Sequence, residues 1–284
     1  MIFNVSCDLK YAPAFPSTLI VNVHAQRNDS QKIVEERFTV EPSVRIDELE
    51  VTGSDNRFVR LETGQAKELA IQYRATVDCE YQTISSGRIE DTPVAELSSE
   101  AIPYLFPSRY CQSDKLGKLA WDLFGEIQKP YDKVVAIVEW INRNVEYCRG
   151  TTSSETSAYD TVTQRTGVCR DFAHLGIALC RALNIPARYF SGYAYQLEPP
   201  DFHACFEAFV GRRWMIFDPT HLAHLNGLVR IGTSRDAADA ALANIFGSVR
   251  LLEIKVDCTV APGQSFAPLT REQMTERGVA LAPR

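Results

Sequence analysis

The sequence predicts an α+β protein of two domains, a small antiparallel β-sandwich followed by a domain that mixes helices with a hairpin. Three observations predict it. The chain has 284 residues, and about 150 residues per domain suggests two. The first part, roughly ninety residues, alternates apolar and polar side chains in short runs separated by turn formers, the signature of strands. From Leu116 onward the apolar spacing changes to the i, i+3, i+4 pattern of helices. With 45% hydrophobic and 23% charged residues, the composition is that of an ordinary globular protein with enough apolar mass for a core.

The strands come first. Alternation runs from Leu19 to Ala25 and recurs in Arg37–Val40, Val44–Ile46, Arg57–Leu61 and Glu68–Ala75, with Gly53-Ser54-Asp55-Asn56 and Thr63-Gly64 as turns. Short strands at roughly ten-residue spacing indicate a sandwich. The aperiodic stretch from Ser86 to Ser113, with Pro93, Pro103 and Pro107, reads as a connection. A first helix carries Leu116, Leu119, Ala120, Leu123, Phe124 and Ile127, with Ser113 placed to cap it. A second opens at Pro130 and carries Val134, Ile137, Val138 and Ile141, and both stripes are expected to be core. A third begins near Gly167 or Val168 and runs to Leu183, closed by Asn184 in a left-handed conformation and stopped by Pro186. A strand over Arg188–Tyr193 follows, then a hairpin of His203–Val210 and Arg213–Asp218 around Gly211-Arg212. Val249–Val260 reads as a last strand, and the tail after it as disordered. The expected domains are therefore residues 1–95 (β-domain), 96–112 (linker), 113–260 (mixed domain) and 261–284 (tail).

Composition narrows the function classes. Thirty basic against 36 acidic residues leave a net charge of −6, which argues against nucleic acid as a partner. The longest apolar run, Val134–Val138, is far short of the about 20 residues that a membrane span needs. The N-terminal residues lack the pattern of a signal peptide, and the eight cysteines show no metal-binding spacing, so they are expected to be thiols in a reducing cytoplasm. His221 and His224 have a helical spacing but no further ligands in sequence, so no metal or cofactor is expected.

One constellation carries chemistry. Cys169 falls at the start of the third helix, where unpaired N–H groups and the helix dipole favour a thiolate. If Val210 pairs with Arg213, paired positions in the hairpin place Asp218 opposite Cys205 and diagonal to His203, within bridging distance. The hairpin then delivers a base with its orienting carboxylate, and the helix supplies a nucleophile. Singly, each residue has a structural explanation: a buried thiol, a satisfied strand histidine, an Asp-Pro turn. His174 follows Cys169 by five positions and points away from it, and Asp171 is expected to bind first-turn N–H groups or an arginine.

These residues resemble the transglutaminase-like superfamily, in its bacterial branch of cysteine proteases. The likeness lies in Gly167-Val168-Cys169-Arg170-Asp171-Phe172-Ala173-His174-Leu175, in Leu183–Tyr193, in His203-Ala204 and in Phe217-Asp218-Pro219-Thr220. Pro107–Cys111 and Arg235–Asp239 resemble its flanking segments, and the N-terminal strands look like the β-domain that often precedes it. The resemblance implies a papain-like fold with Cys169 as nucleophile, His203 as general base and acid, and Asp218 as orienter. It also implies a thioester formed with an amide substrate. Tyr147 matches an aromatic position of the pattern and is a candidate oxyanion donor beside the Cys169 N–H; Trp140 is a weaker one. Cys205 departs from the pattern, standing where an aromatic usually follows His-Ala.

Three functions follow as expectations. The first is a hydrolase of peptide or isopeptide amides, and the second a transglutaminase that passes the acyl group to an amine. The third is a binding module on the same fold, which the presence of all three residues disfavours. Tyr193, Tyr195 and Phe202 stand as candidate lining of the acyl pocket, with burial as the competing explanation.

Overall fold

The computed structural model of the chain describes residues 1–281. Seven strands come first: β1 (Ile2–Pro13), β2 (Thr18–Val21), β3 (Gln31–Glu41), β4 (Arg45–Glu50), β5 (Arg57–Glu62), β6 (Leu69–Cys79) and β7 (Tyr81–Ser85). Helices α1 (Ser113–Phe124) and α2 (Pro130–Asn144), strand β8 (Glu146–Tyr147), helix α3 (Ala158–Gln164), strand β9 (Thr166–Gly167) and helix α4 (Cys169–Ala182) follow. The remainder is β10 (Ala187–Ala194), β11 (Phe202–Val210), β12 (Arg213–Phe217), β13 (Leu228–Ser234), β14 (Ala243–Phe246), β15 (Val249–Val260), α5 (Arg271–Glu276) and β16 (Arg277–Leu281).

The expected sandwich is present, built from a sheet of order β15-β1-β6-β3 and one of order β14-β2-β5-β4. Its core follows the period-2 rule: Phe3, Val5, Cys7, Leu9 and Tyr11 of β1 face Leu69, Ile71, Tyr73, Ala75 and Val77 of β6 in one buried cluster. Each such aliphatic side chain, fully buried, contributes about 1.5–3 kcal/mol. The run Phe3 to Tyr11, which alternates apolar and polar side chains but is not among the expected strands, forms most of β1, an inner strand between β15 and β6.

Two of the expected boundaries move. Strand β15 was expected within the mixed domain, but it pairs with β1 along its length, from Phe3↔Val260 to Pro13↔Val249, and so belongs to the sandwich. Conversely β7 and β16 join the second domain's sheet, of order β13-β10-β11-β12-β16-β7. The expected disordered tail instead forms α5 and β16; its last three residues lie outside the described residues. The apolar side chains explain this, because Val279 reaches Ile216 of β12 and is fully buried. Within residues 96–112, the turn Ile102–Leu105 sets Tyr104 edge-on to Trp214 of β12.

Helix α4 is the spine of the second domain. Its N-terminus, its left-handed Asn184 (φ 62°) and the stop before Pro186 agree with the sequence reading. Helix α2 opens with Pro130 in its first turn, whereas Ser113 is the first residue of α1 rather than its cap. Phe172, Ala173, Leu175, Ile177 and Leu179 of α4 pack with Ala204, Phe206, Ala208 and Val210 of β11 and with the apolar stripes of α1 and α2. Among the described residues no helix is long and apolar enough to cross a membrane.

The sandwich closes the open edge of the second sheet with side-chain amides. Gln31 donates from Nε2 to the Arg230 carbonyl and accepts the Arg230 N–H on Oε1, both at 2.8 Å. Asn56 does the same at Thr233, at 2.8 and 2.9 Å. Each amide acts as one extra peptide unit on edge strand β13, which satisfies groups that burial would otherwise strand. The Tyr193 hydroxyl donates to the Val23 carbonyl (2.6 Å), and Tyr193, Tyr195 and Phe202 pack with the sandwich core. Those three aromatics are therefore interdomain packing rather than an acyl pocket.

Helix α4 meets β11 with no side chain at Gly176: a Cβ there would stand 2.4 Å from the Phe206 ring. Gly176→Ala is expected to destabilise by about 1–3 kcal/mol through overpacking, although alanine raises helix propensity by about 1 kcal/mol. Chemical denaturation checks this, and a stabilised variant would disprove the close approach.

Candidate active site

Three separate elements converge on one point. Cys169 is the first residue of α4 and is half-buried. The turn that starts the helix is fixed by Asp171, fully buried, whose Oδ2 accepts the Val168 N–H (2.9 Å) while Oδ1 accepts from Arg170 Nε and Nη2 (3.2 and 3.0 Å). Asp171 thus both ties the first turn and fixes an arginine, as its position suggests. Gly167 lets that carboxylate approach, since a Cβ there would lie 2.8 Å from the Asp171 Cβ.

The hairpin has the register the spacing implies. Val210 pairs with Arg213 and Phe206 with Phe217, and Gly211 and Arg212 both adopt positive φ (62° and 61°) at the turn. His203 then presents Nε2 to Asp218 Oδ2 at 2.9 Å, with both side chains almost wholly buried. Its ring also adjoins the Cys169 thiol. With Nε2 on the carboxylate, Nδ1 is the nitrogen left to face sulfur. Burial alone would lower the His203 pKa, but the charge of the Asp218 carboxylate, the bond to it and the contact with Cys169 outweigh it and push it up to about 10.

Asp218 is held on every side. Oδ1 accepts the Thr220 N–H (3.0 Å) and hydroxyl (2.7 Å), and Oδ2 accepts the Ala223 N–H (3.1 Å) besides His203. Burial works against its charge, yet His203 and these donors hold its carboxyl below the usual range. Asn142 of α2 clamps the same turn by donating to the Pro219 and Thr220 carbonyls (3.0 and 3.2 Å). Neither Thr220 nor Asn142 stood out in the sequence as a support; for Thr220 the signal was its place two residues after Asp218, where a hydroxyl closes an Asx turn.

Tyr147 reaches the site through a contact that sequence spacing does not reveal. Strands β8 and β9 form a short parallel pair, Tyr147↔Gly167, which sets Tyr147 beside the start of α4. Its hydroxyl touches both the thiol and the backbone N–H of Cys169. Burial first, and then the charge of Cys169, push its pKa up to about 12, so it remains a donor at neutral pH. Trp140 packs instead against Phe124 (6.3 Å, edge-on).

Other singled-out residues serve the frame. His174 accepts the Ala237 N–H on Nε2 (3.1 Å) and stacks on Tyr110 (4.9 Å, 8°), turned away from Cys169; burial pushes its pKa down to about 3. The segments around Pro107–Cys111 and Arg235–Asp239 meet behind α4, where Asp236 accepts the Tyr110 N–H (2.8 Å) and Arg181 binds four acceptors including the Phe106 and Arg235 carbonyls. His221 stands 3.3 Å from Glu139, and His224 faces the Leu269 carbonyl at 3.4 Å, so the two point to different partners. Cys205 lies fully buried with Phe190 and Ile216, one position before the Phe206↔Phe217 pair that ends the ladder, and burial pushes its thiol well up.

Residues 1–100 match the family model of the bacterial transglutaminase N-terminal domain, and residues 118–219 that of the transglutaminase-like superfamily. A crystal structure described as a "putative cysteine protease" from Cytophaga hutchinsonii is 51% identical, covers 99% of this chain and 97% of its own, and superposes with a TM-score of 0.95. An uncharacterised protein of Mycobacterium leprae is 30% identical over 188 residues, 61% of this chain and 66% of that protein. The periplasmic domain of TgpA from Pseudomonas aeruginosa is distant, 17% identical with a TM-score of 0.40 over 77% of this chain and 90% of its own.

The pair His203–Asp218 makes stability depend on pH. The folded-state value of His203, about 10, lies above its ordinary 6.5, so its contribution is complete below about pH 6.5 and is lost as pH rises towards 10. Asp218 lies below its ordinary 3.8, so its contribution is present above that value and lost on acidification. Denaturant titrations between about pH 6.5 and 8.5, below the range of buried thiols, are expected to show falling stability in the parent protein and a flatter profile in Asp218→Asn. Parallel profiles would refute the pairing.

Proposed function

The chain belongs to the transglutaminase-like superfamily, and on that premise we propose that it is a cysteine-dependent amide hydrolase, a protease or isopeptidase working through a thioester on Cys169. One observation carries the reading: a single buried imidazole, that of His203, touches the Asp218 carboxylate on one side and Cys169 on the other. That contact gives the thiol proton a place to go.

The chemistry balances over these groups. In the resting pair His203 already holds the proton that the thiol gives up, and the sulfur attacks the amide carbonyl to form the C–S bond. The developing oxyanion is met by the Cys169 N–H and the Tyr147 hydroxyl, which at rest touch one another and turn towards a substrate oxygen entering between them. As the C–N bond breaks, His203 returns its proton to the leaving amine. His203 then takes a proton from water, whose oxygen attacks the thioester; the C–S bond breaks, the carboxylic acid leaves, and the sulfur and the protonated His203 are back in their resting pair. Cys169 is half-buried and Tyr147 is 37% exposed, so water has a route to the thioester, which favours hydrolysis over transfer to an amine.

Cys148, the other half-buried thiol, is an internal control for exposure. Alkylation at about pH 6, mapped by peptide mass, is expected to label Cys169 well ahead of Cys148 in the parent protein and at a similar rate in His203→Ala. Equal labelling in the parent protein would refute the mechanism. With a cleavable amide substrate, Tyr147→Phe is expected to lower kcat by about 10²–10³-fold, the usual loss of one oxyanion donor, with a smaller change in KM. The same assay run with an added primary amine reports acyl transfer directly.

A further inference from the structure

The face of the second sheet away from α4 holds an ionic cluster whose charges do not cancel. Glu207 of β11 is fully buried, and each carboxylate oxygen takes one guanidinium: Arg188 Nε donates to Oε2 at 2.6 Å, and Arg230 Nη2 donates to Oε1. One buried cation, Arg230, and one half-buried cation, Arg188, thus share one buried anion. Arg230 is 7% exposed, and its Nε has no hydrogen-bond partner among the described residues. Such an uncompensated charge is costly inside a protein unless a further anion meets it.

These residues form the floor of a cavity of about 760 Å³, bounded by the β11–β12 hairpin, by β7 and β16, and by the connection around residues 92–100. Arg212 and Arg213 line it from the hairpin turn. Arg213 Nη1 donates to Gln82 Oε1 (2.6 Å), a neutral acceptor, while Arg212 Nη2 reaches Glu96 on the exposed rim (2.5 Å). Of the lining acids, Glu207 is consumed by two arginines and Glu96 by a third, and Glu100 stands exposed at the edge. Arg188 also lies over the Trp214 ring at 4.2 Å, which fixes its guanidinium plane. Fixed guanidinium forks match the oxygens of phosphate and carboxylate groups.

We propose that this cavity is a binding site for an oxyanion, a phosphate or carboxylate group carried by a small molecule or a peptide, held by Arg188, Arg213 and Arg230. It is separate from the Cys169 site: binding needs no turnover, so its failure and that of the hydrolase reading are read apart.

The test is thermal unfolding of the full chain with inorganic phosphate, succinate or chloride at matched ionic strength. Phosphate or succinate is expected to raise the midpoint saturably while chloride does not. A response to phosphate alone assigns a phosphate group, and an equal response to succinate assigns a carboxylate. Arg213→Gln and Arg212→Gln sit at the exposed turn and spare the buried cluster; Arg213→Gln is expected to weaken the apparent affinity about tenfold, as loss of one charge-assisted contact does. Arg212→Gln, which loses only the Glu96 contact, is expected to bind as the parent does; no saturable shift with either anion, an equal shift with chloride, or an affinity unchanged in Arg213→Gln overturns the site and leaves the cluster as an internal strut.

Discussion

The buried contact between His203 and Asp218 is the constraint around which the second domain is arranged. A charged imidazole and a carboxylate sealed from water are tolerated only if every remaining lone pair and proton has a partner. The turn after β12 meets that demand: Thr220 and Ala223 fill the carboxylate, and Asn142 fixes the turn from α2. The hairpin carries the pair and the helix carries the thiol, so the pair is useful only if α4 docks at one height on β11. Gly176 against Phe206 sets that height, and the stacked Tyr110–His174 pair with Arg181 holds the helix from the other side.

The sequence was most legible where chemistry and local periodicity coincide. Pairing Val210 with Arg213 needs only a turn and a two-residue period, and it places His203 beside Asp218 with no appeal to tertiary contacts. The start of α4 at Cys169 and the left-handed Asn184 beyond its last turn are likewise local, because capping and left-handed backbone are decided within a few residues. Tyr147 was a different case. Its place depends on a two-residue parallel strand pair across some twenty positions of chain, which no periodic pattern records. The same holds for Tyr193 and Phe202, where an alternating apolar strand announces burial but not against which domain.

What the sequence did not disclose at all is the weave of the two domains. Charge and period gave β15 its strand character, but nothing local says that a strand at residues 249–260 returns to pair with residues 3–13. Likewise β7 crosses from the sandwich into the sheet that holds the hairpin. Sequence order is a good guide to neighbours only when connections are short, and here the pairings of highest separation are the ones that join the domains.

That weave changes what the N-terminal domain is for. A detachable module would leave the second sheet intact on removal, with a free edge exposed to solvent. Here edge strand β13 has Gln31 and Asn56 of the sandwich bound into its ladder, and β10, its neighbour, buries Tyr193 against Tyr73. Strand β10 in turn pairs Gly192 with His203. The chain of contacts from the sandwich to the imidazole is therefore only two strands long, and each step is a backbone ladder or a buried amide rather than a mobile surface contact. A sandwich joined in this way acts as the wall against which the His203 strand is registered, so its core packing and the geometry at Cys169 are parts of one structural problem.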